Sequence, residues 1–153
     1  MNSAKEQTQQ RADKFLKLNA IALIGVSEKA DKFGNMIFNE LKEKQINIFQ
    51  LHSKHESLNN APCYKSIDDM PEKPDGLIIN VASNKTASLI EEYRKQGIQN
   101  FWIQRGSESP EAKKYCEDNN LDYVSGKCIL MFAQPVKSVH SFHRTIWKWF
   151  GKS

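Results

Sequence analysis

The residues best suited to chemistry in this sequence follow a short apolar run. Residues 21–24 are apolar, Gly25 and Ser27 come next, and apolar residues at helical spacing begin at Phe33. This pattern predicts a buried strand, a turn and then a helix. Free backbone N–H groups at the start of a helix bind phosphate, and Lys32 would add positive charge there. The segment therefore predicts an anion-binding loop.

The loop is not a dinucleotide fingerprint. A Gly-x-Gly-x-x-Gly loop would have glycines at the positions that Ser27 and Ala30 occupy. A strand, turn and helix without any ligand fits these few residues equally well. The loop alone leaves both interpretations open.

Cysteine and metal chemistry are not predicted. Cys128 stands beside Lys127, but a reactive thiolate needs a nearby base or cation that faces it, so a buried structural thiol is favoured. His140 and His143 are one helical turn apart, yet no third ligand lies at suitable spacing. We assign no catalytic residue, no metal ligand and no enzymatic activity to the chain.

Composition suits one domain with a hydrophobic core. The chain has 153 residues, 39% of them hydrophobic, and a formal net charge of +4. Its three cysteines are widely spaced, the first residues are polar, and no apolar run reaches the length of a membrane span. We expect a cytoplasmic protein that does not enter a membrane and is not specialised for nucleic acid.

Apolar runs alternate with helical spacing along the chain, which predicts a parallel sheet covered on both faces. The expected fold is a Rossmann-like, doubly wound α/β domain with a mainly parallel five-stranded sheet, in the strand order 3-2-1-4-5. Residues 1–17 are expected to form a helix packed on the domain at 18–130, and residues 131–153 a basic, aromatic helical tail. The predicted strands are 21–24, 46–51, 76–81, 98–103 and 121–124.

Ligands of such sheets bind beyond the carboxyl ends of the strands. This rule gathers four segments around one crevice. They are residues 25–32, 52–54, 81–84 and 104–107.

Four short motifs in this order resemble the CoA-binding domain family. They are residues 25–27, residues 32–34, residues 102–104 followed by Gly106, and residues 126–129. The resemblance covers roughly residues 18–130. The family is similar to the N-terminal domain of the succinyl-CoA synthetase alpha subunit, and this chain resembles a small stand-alone version of that domain. The resemblance implies a Rossmann-like fold and a site for coenzyme A or an acyl-CoA.

The resemblance also implies which residues would bind the ligand. The phosphate loop of the family falls on Gly25, Val26, Ser27, Lys32 and Phe33. The later segments of the site fall on His52, Ser53, Lys54, Val81, Ala82, Ser83, Gln104 and Gly106.

The residues after the second predicted strand favour a ribose phosphate. NAD-binding folds usually carry Asp or Glu there, whereas this chain has His52, Ser53 and Lys54. A lysine attracts the ribose phosphate of CoA or NADP.

We therefore predict a CoA-binding protein that acts as a non-catalytic binding or sensor module. Two alternatives stay open, namely an NADP-binding, oxidoreductase-like protein and an interaction protein that docks through its basic C-terminal helix. In the second alternative, the C-terminal helix would bind another copy of the chain or a protein partner.

Overall fold

The apolar run at 21–24 becomes the central strand of a sheet in the computed structural model, which describes residues 2–29 and 31–133. The predicted C-terminal helix, with His140 and His143, lies outside the described residues. Within those residues, no helix has both the length and the apolar character that a membrane crossing requires.

Residues 2–29 and 31–133 form four helices and seven strands, with two short 3-10 turns at Ile67–Asp69 and Ile129–Met131. The helices are α1 (Asn2–Leu16), α2 (Phe33–Glu43), α3 (Ser83–Lys95) and α4 (Pro110–Asp118). The strands are β1 (Ile21–Ile24), β2 (Ile48–Leu51), β3 (Ser57–Leu58), β4 (Ala61–Tyr64), β5 (Gly76–Ile79), β6 (Asn100–Gln104) and β7 (Asp122–Lys127).

The sheet has seven strands in the order β3-β4-β2-β1-β5-β6-β7. Every neighbouring pair is parallel except β3 and β4, which form an antiparallel hairpin. The predicted doubly wound, mainly parallel α/β fold is confirmed.

The predicted strand count and order were wrong, and the β3–β4 hairpin is the reason. The five expected strands follow the order 2-1-3-4-5, because β5 pairs directly with β1. The short strand β4 takes the outer place beside β2. When β4 is counted as the third strand, the parallel part has the order 3-2-1-4-5-6, typical of a doubly wound fold.

Alternation along β1 divides the core into two layers. Ile21 and Leu23 pack on the face covered by α1 and α2, whereas Ala22 packs on the face covered by α3 and α4. On the first face the ring of Phe15 lies 5.6 Å from that of Trp102, so α1 is anchored to the sheet. The sheet is thus packed between two layers of buried side chains.

Candidate functional site

An open cleft of about 420 Å³ lies at the carboxyl ends of β1, β5 and β6. Seven of the predicted site residues line it, together with three that were not predicted. Its lining contains two cations, Lys32 and Arg105, and no carboxylate among the described residues. The lining residues are Gly25, Ser27, Lys32, Phe33, Asn80, Val81, Ala82, Arg105, Gly106 and Ser107.

Close backbone packing shapes the floor of the cleft. Gly25 has φ +130°, in the region that favours glycine, and a Cβ there would overlap the backbone oxygen of Asn80. A Cβ on Gly34 would overlap the carbonyl oxygen of Gly25. Glycine at both positions lets the first turn of α2 lie directly against the β1–α2 loop.

The amino end of α2 borders the cleft. Lys32 and Phe33, the N-cap and first residue of the helix, both line the space, and no side chain among the described residues caps this end. The helix dipole is positive here, and first-turn N–H groups favour an anion. An anionic ligand would therefore be stabilised beside the side chain of Lys32.

Asn35 holds the β1–α2 loop in one conformation. Its Oδ1 accepts the backbone N–H of Ser27 at 3.0 Å, and its Nδ2 donates to the carbonyl oxygens of Ser27 and Lys29, each at 2.8 Å. The hydroxyl oxygen of Ser27 accepts the N–H of Lys29 at 3.2 Å. That contact uses a lone pair of the hydroxyl and not its hydrogen, so Ser27 keeps the ability to donate to a phosphate oxygen.

The wall opposite the loop is built by residues that follow β5 and β6. Val81, Ala82 and Gly106, which the sequence analysis assigned to the ligand site, line the cleft. Ser107 is 2% exposed and is hydrogen bonded to the backbone of Val81. Arg105 brings a second cation to the cleft.

The segment after β2 does not line this cleft. Lys54 and Ser53 are exposed, and the N–H of Lys54 donates to Nδ1 of His52 at 3.0 Å. The rings of His52 and His55 lie 4.6 Å apart, and His55 Nε2 is 3.9 Å from a carboxylate oxygen of Glu28 in the β1–α2 loop. The segment is thus beside the phosphate loop, and its ligand role stays a prediction.

Burial, followed by the electrostatic influence of His55 and then of Lys54, lowers the pKa of His52 from its ordinary 6.5. The carboxylate of Glu28 acts in the opposite direction but is the smallest of these influences. Burial and the two neighbours together favour neutral His52.

Three other predicted site residues have different positions. Val26 is 4% exposed and belongs to the core, so only its backbone can reach a ligand. Gln104 is 1% exposed, and its Oε1 accepts the N–H of Ile129 at 3.0 Å. The side chain of Gln104 thus holds the turn after β7, and its ligand role stays a prediction. Ser83 is exposed at the start of α3 and is not part of the lining.

Cys128 is buried, as the sequence predicted. It is 4% exposed, and burial is the main reason that the pKa of its thiol is raised. Such a thiol is a poor nucleophile, because the reactive species is the thiolate. The described residues contain no group of three or more His, Cys, Asp or Glu side chains suited to a metal ion.

A second open cleft, of about 510 Å³, lies at the opposite edge of the sheet. It includes Leu18 and Gly97, which follow the carboxyl ends of α1 and α3, and Asp75, which precedes β5. Helix carboxyl ends carry partial negative charge and repel anions. The edge with the amino end of α2 is therefore the better site for a phosphorylated ligand.

Comparison with known proteins shows the family of this chain. Residues 19–134 match a family model described as the CoA binding domain. The chain belongs to the CoA-binding domain family. The cleft at the carboxyl ends of β1, β5 and β6 is accordingly the candidate CoA site.

Two archaeal enzymes are similar to parts of this CoA-binding domain. Acetate–CoA ligase (ADP-forming) of Methanocaldococcus jannaschii is 29% identical over 79 residues, which are 52% of this chain and 11% of the ligase. The alpha subunit of acetate–CoA ligase (ADP-forming) II of Pyrococcus furiosus is 28% identical over 92 residues, 60% of this chain and 20% of that subunit. The chain thus spans only a minor part of each enzyme.

A shorter solved structure shares the fold. A conserved hypothetical protein from Pyrococcus furiosus has a TM-score of 0.67 and 27% identity, covering 72% of this chain and 96% of its own.

Asn80, Arg105 and Ser107 are the cleft residues that were not assigned from the sequence. Arg105 and Ser107 lie within residues 104–107, a segment that was expected at the crevice because it follows the carboxyl end of a strand. Only the folded positions show that both belong to the cleft while Gln104 points into the protein.

Proposed function

We propose that this protein binds coenzyme A or an acyl-CoA in the cleft at the carboxyl ends of β1, β5 and β6. The ligand phosphates would lie at the amino end of α2, near Ser27 and Lys32, with Arg105 on the facing wall. The observation that carries the proposal is a cleft with two cations and no carboxylate among its described residues, in a chain of the CoA-binding domain family.

The proposed role is binding or sensing rather than catalysis. The relatives are named as ligases that use CoA, but they match this chain over only a small part of their length. Cys128 is buried and its thiol pKa is raised, which argues against a thioester exchange at that residue. A protein that reports or carries CoA needs only the cleft.

Titration calorimetry with CoA, acetyl-CoA, NADP and NAD tests the ligand. We expect binding of CoA or acetyl-CoA and no comparable binding of NAD. Tight binding of NADP without CoA would favour the oxidoreductase-like alternative. Absence of any CoA binding at millimolar ligand would overturn the proposal.

Two charge variants test the location of the ligand. Lys32→Ala and Arg105→Ala should each weaken CoA binding by roughly fivefold, the effect of losing about 1 kcal/mol. Lys73→Ala is the matched control, because it removes the same charge from the cleft at the opposite edge. A loss for Lys73→Ala equal to that for Lys32→Ala would place the ligand elsewhere.

Incubation of the pure protein with acetyl-CoA tests the absence of catalysis. We expect no consumption of the thioester above the rate in buffer. Steady turnover that disappears in a folded Cys128→Ala variant would make the protein an enzyme.

A further inference from the structure

Three amide side chains connect the β3–β4 hairpin to the β1–α2 loop. Asn59, in the hairpin turn, donates from Nδ2 to Oδ1 of Asn35 at 3.0 Å and to Oε1 of Gln50 at 2.7 Å. Asn35 in turn bonds the backbone of the β1–α2 loop. None of the three residues lines the cleft, yet together they reach from the sheet edge to the candidate phosphate site.

The hydrogen bonds fix the orientation of each amide. Nδ2 of Asn35 donates to two backbone carbonyl oxygens, so its Oδ1 must face the N–H of Ser27 and the amide of Asn59. Nε2 of Gln50 donates to the carbonyl oxygen of Leu58 at 2.8 Å, which turns its Oε1 toward Asn59. A flip of either amide would place like groups against each other.

Burial makes these contacts important. Asn35 is 1% exposed and Gln50 is fully buried, so water cannot replace a lost partner without a rearrangement. A buried polar network in which every member is satisfied keeps one conformation, whereas an incomplete network is costly. Asn59 is the member that supplies donors to both of the other amides.

The backbone of the hairpin explains why asparagine can occupy this place. Asn59 and Asn60 form the two-residue turn between β3 and β4, with φ +55° and +57°. Asparagine tolerates such angles better than most residues, and two-residue hairpin turns require them. The side chain of Asn59 turns inward to the network, while that of Asn60 is exposed.

We propose that Asn59 is a positioning residue for the bound ligand, acting through Asn35 on the backbone of Ser27 and Lys29. This inference rests on the proposed CoA site. Loops held in their binding conformation before the ligand arrives lose less entropy on binding. The hairpin, although outside the cleft, therefore contributes to affinity for the ligand phosphates.

A matched pair of variants separates this role from the turn itself. Asn59→Gly and Asn60→Gly each place glycine at a positive φ in the same turn, but only the first removes the two donated bonds. We expect Asn59→Gly to weaken CoA binding by about fivefold, and Asn60→Gly to change it by less than about twofold. Equal affinities for Asn59→Gly and the unaltered protein would overturn the inference.

Hydrogen exchange of the ligand-free protein gives a readout that does not depend on CoA. Peptides that cover residues 25–32 should exchange faster in Asn59→Gly than in Asn60→Gly, while peptides from β6 should exchange equally. Faster exchange across the whole sheet would mean a general loss of stability and would overturn the positioning role. If the unaltered protein fails to bind CoA, the proposed function fails, and this comparison still tests the positioning.

Two further measurements complete the test. Asn59→Asp keeps the shape of the side chain but sets a carboxylate against two acceptor oxygens, so it should weaken CoA binding more than Asn59→Gly does. In the unaltered protein, saturating CoA should slow exchange in residues 57–64, because coupling between two sites is reciprocal. If bound CoA leaves hydrogen exchange in residues 57–64 unchanged, the proposal is overturned, and this result needs no variant.

Discussion

The side-chain hydroxyl of Ser107 is hydrogen bonded to both backbone groups of Val81. The N–H of Val81 donates to Oγ of Ser107 at 2.9 Å, and the same hydroxyl donates to the carbonyl oxygen of Val81 at 2.7 Å. The hydroxyl of Thr86 donates to the carbonyl oxygen of Ser107 at 2.6 Å. The loops after β5 and β6 are thereby joined into one wall of the cleft.

Ser107→Ala should destabilise this wall. The substitution leaves both backbone groups of Val81 without the hydroxyl, and a lost partner in a buried site costs about 1–3 kcal/mol. Denaturant unfolding measures the loss, and CoA titration should show weaker binding, because Val81 lines the cleft. Ser88→Ala, at an exposed position of α3, is the control and should change the unfolding free energy by less than about 0.5 kcal/mol. Equal effects of the two variants would contradict the role of Ser107.

Gly34→Ala should damage both stability and binding. The added methyl group would overlap the carbonyl oxygen of Gly25, so α2 and the loop must move apart. Such overpacking typically costs about 1–3 kcal/mol. Thermal unfolding and CoA calorimetry measure the two effects. Asn39→Ala, on the exposed side of α2, is the control and should leave the melting temperature and the affinity for CoA close to their original values. If Gly34→Ala binds CoA as tightly as the unaltered protein does, the close contact between α2 and the loop is not needed for binding.

Lys54→Ala tests recognition of the ribose phosphate. We expect CoA to bind more tightly than dephospho-CoA, and the variant to lose most of that preference. Because Lys54 is exposed, its contribution should be about 0.2–1 kcal/mol, at most roughly fivefold in affinity. Calorimetry with both ligands checks it, with Lys73→Ala as the control. Equal affinity of the unaltered protein for CoA and dephospho-CoA would contradict the role given to Lys54.

Stability should fall as the pH decreases below the ordinary pKa of His52. That pKa, 6.5 in an unperturbed side chain, is lowered in the folded protein, so the unfolded chain binds more protons in this range. His52 therefore contributes stability above pH 6.5 that is lost as the pH falls through its folded pKa.

Thermal melts of the unaltered protein and of His52→Asn, at about pH 7.5 and about pH 5.5, check this expectation. Asparagine can still accept the N–H of Lys54 but does not titrate. The drop in melting temperature between the two pH values should be smaller in the variant. An identical drop would mean that groups other than His52 control the pH dependence.

Local patterns were sufficient for the central part of the fold. The buried run at 21–24, the turn at Gly25 and the helical spacing from Phe33 give β1, the loop and α2 at the bounds observed for the strand and the start of the helix. Each of these signals depends on side-chain periodicity or on backbone freedom at one residue. The predicted strand, turn and helix are present in the folded protein because neighbouring elements support the same conformation.

The hairpin shows where local patterns were not sufficient. β3 has two residues and β4 contains Pro62, so neither has the long alternating pattern that marks a strand. β3 pairs with β4, and β4 pairs with β2, so both pairings depend on contacts between separate segments of the chain. The strand order followed from that pairing, and it could not be inferred from the five stronger runs alone.

The sequence by itself determined that the chain is a doubly wound α/β domain with a glycine-bearing loop between β1 and α2, because the hydrophobic period and the glycine positions are local properties. Only the tertiary structure decided which side chains face the cleft. Gln104 and Arg105 are adjacent in sequence, yet one bonds Ile129 inside the protein and the other lines the cleft. Side chains alternate across a strand and change direction where it ends, so the role of each depends on what packs against it.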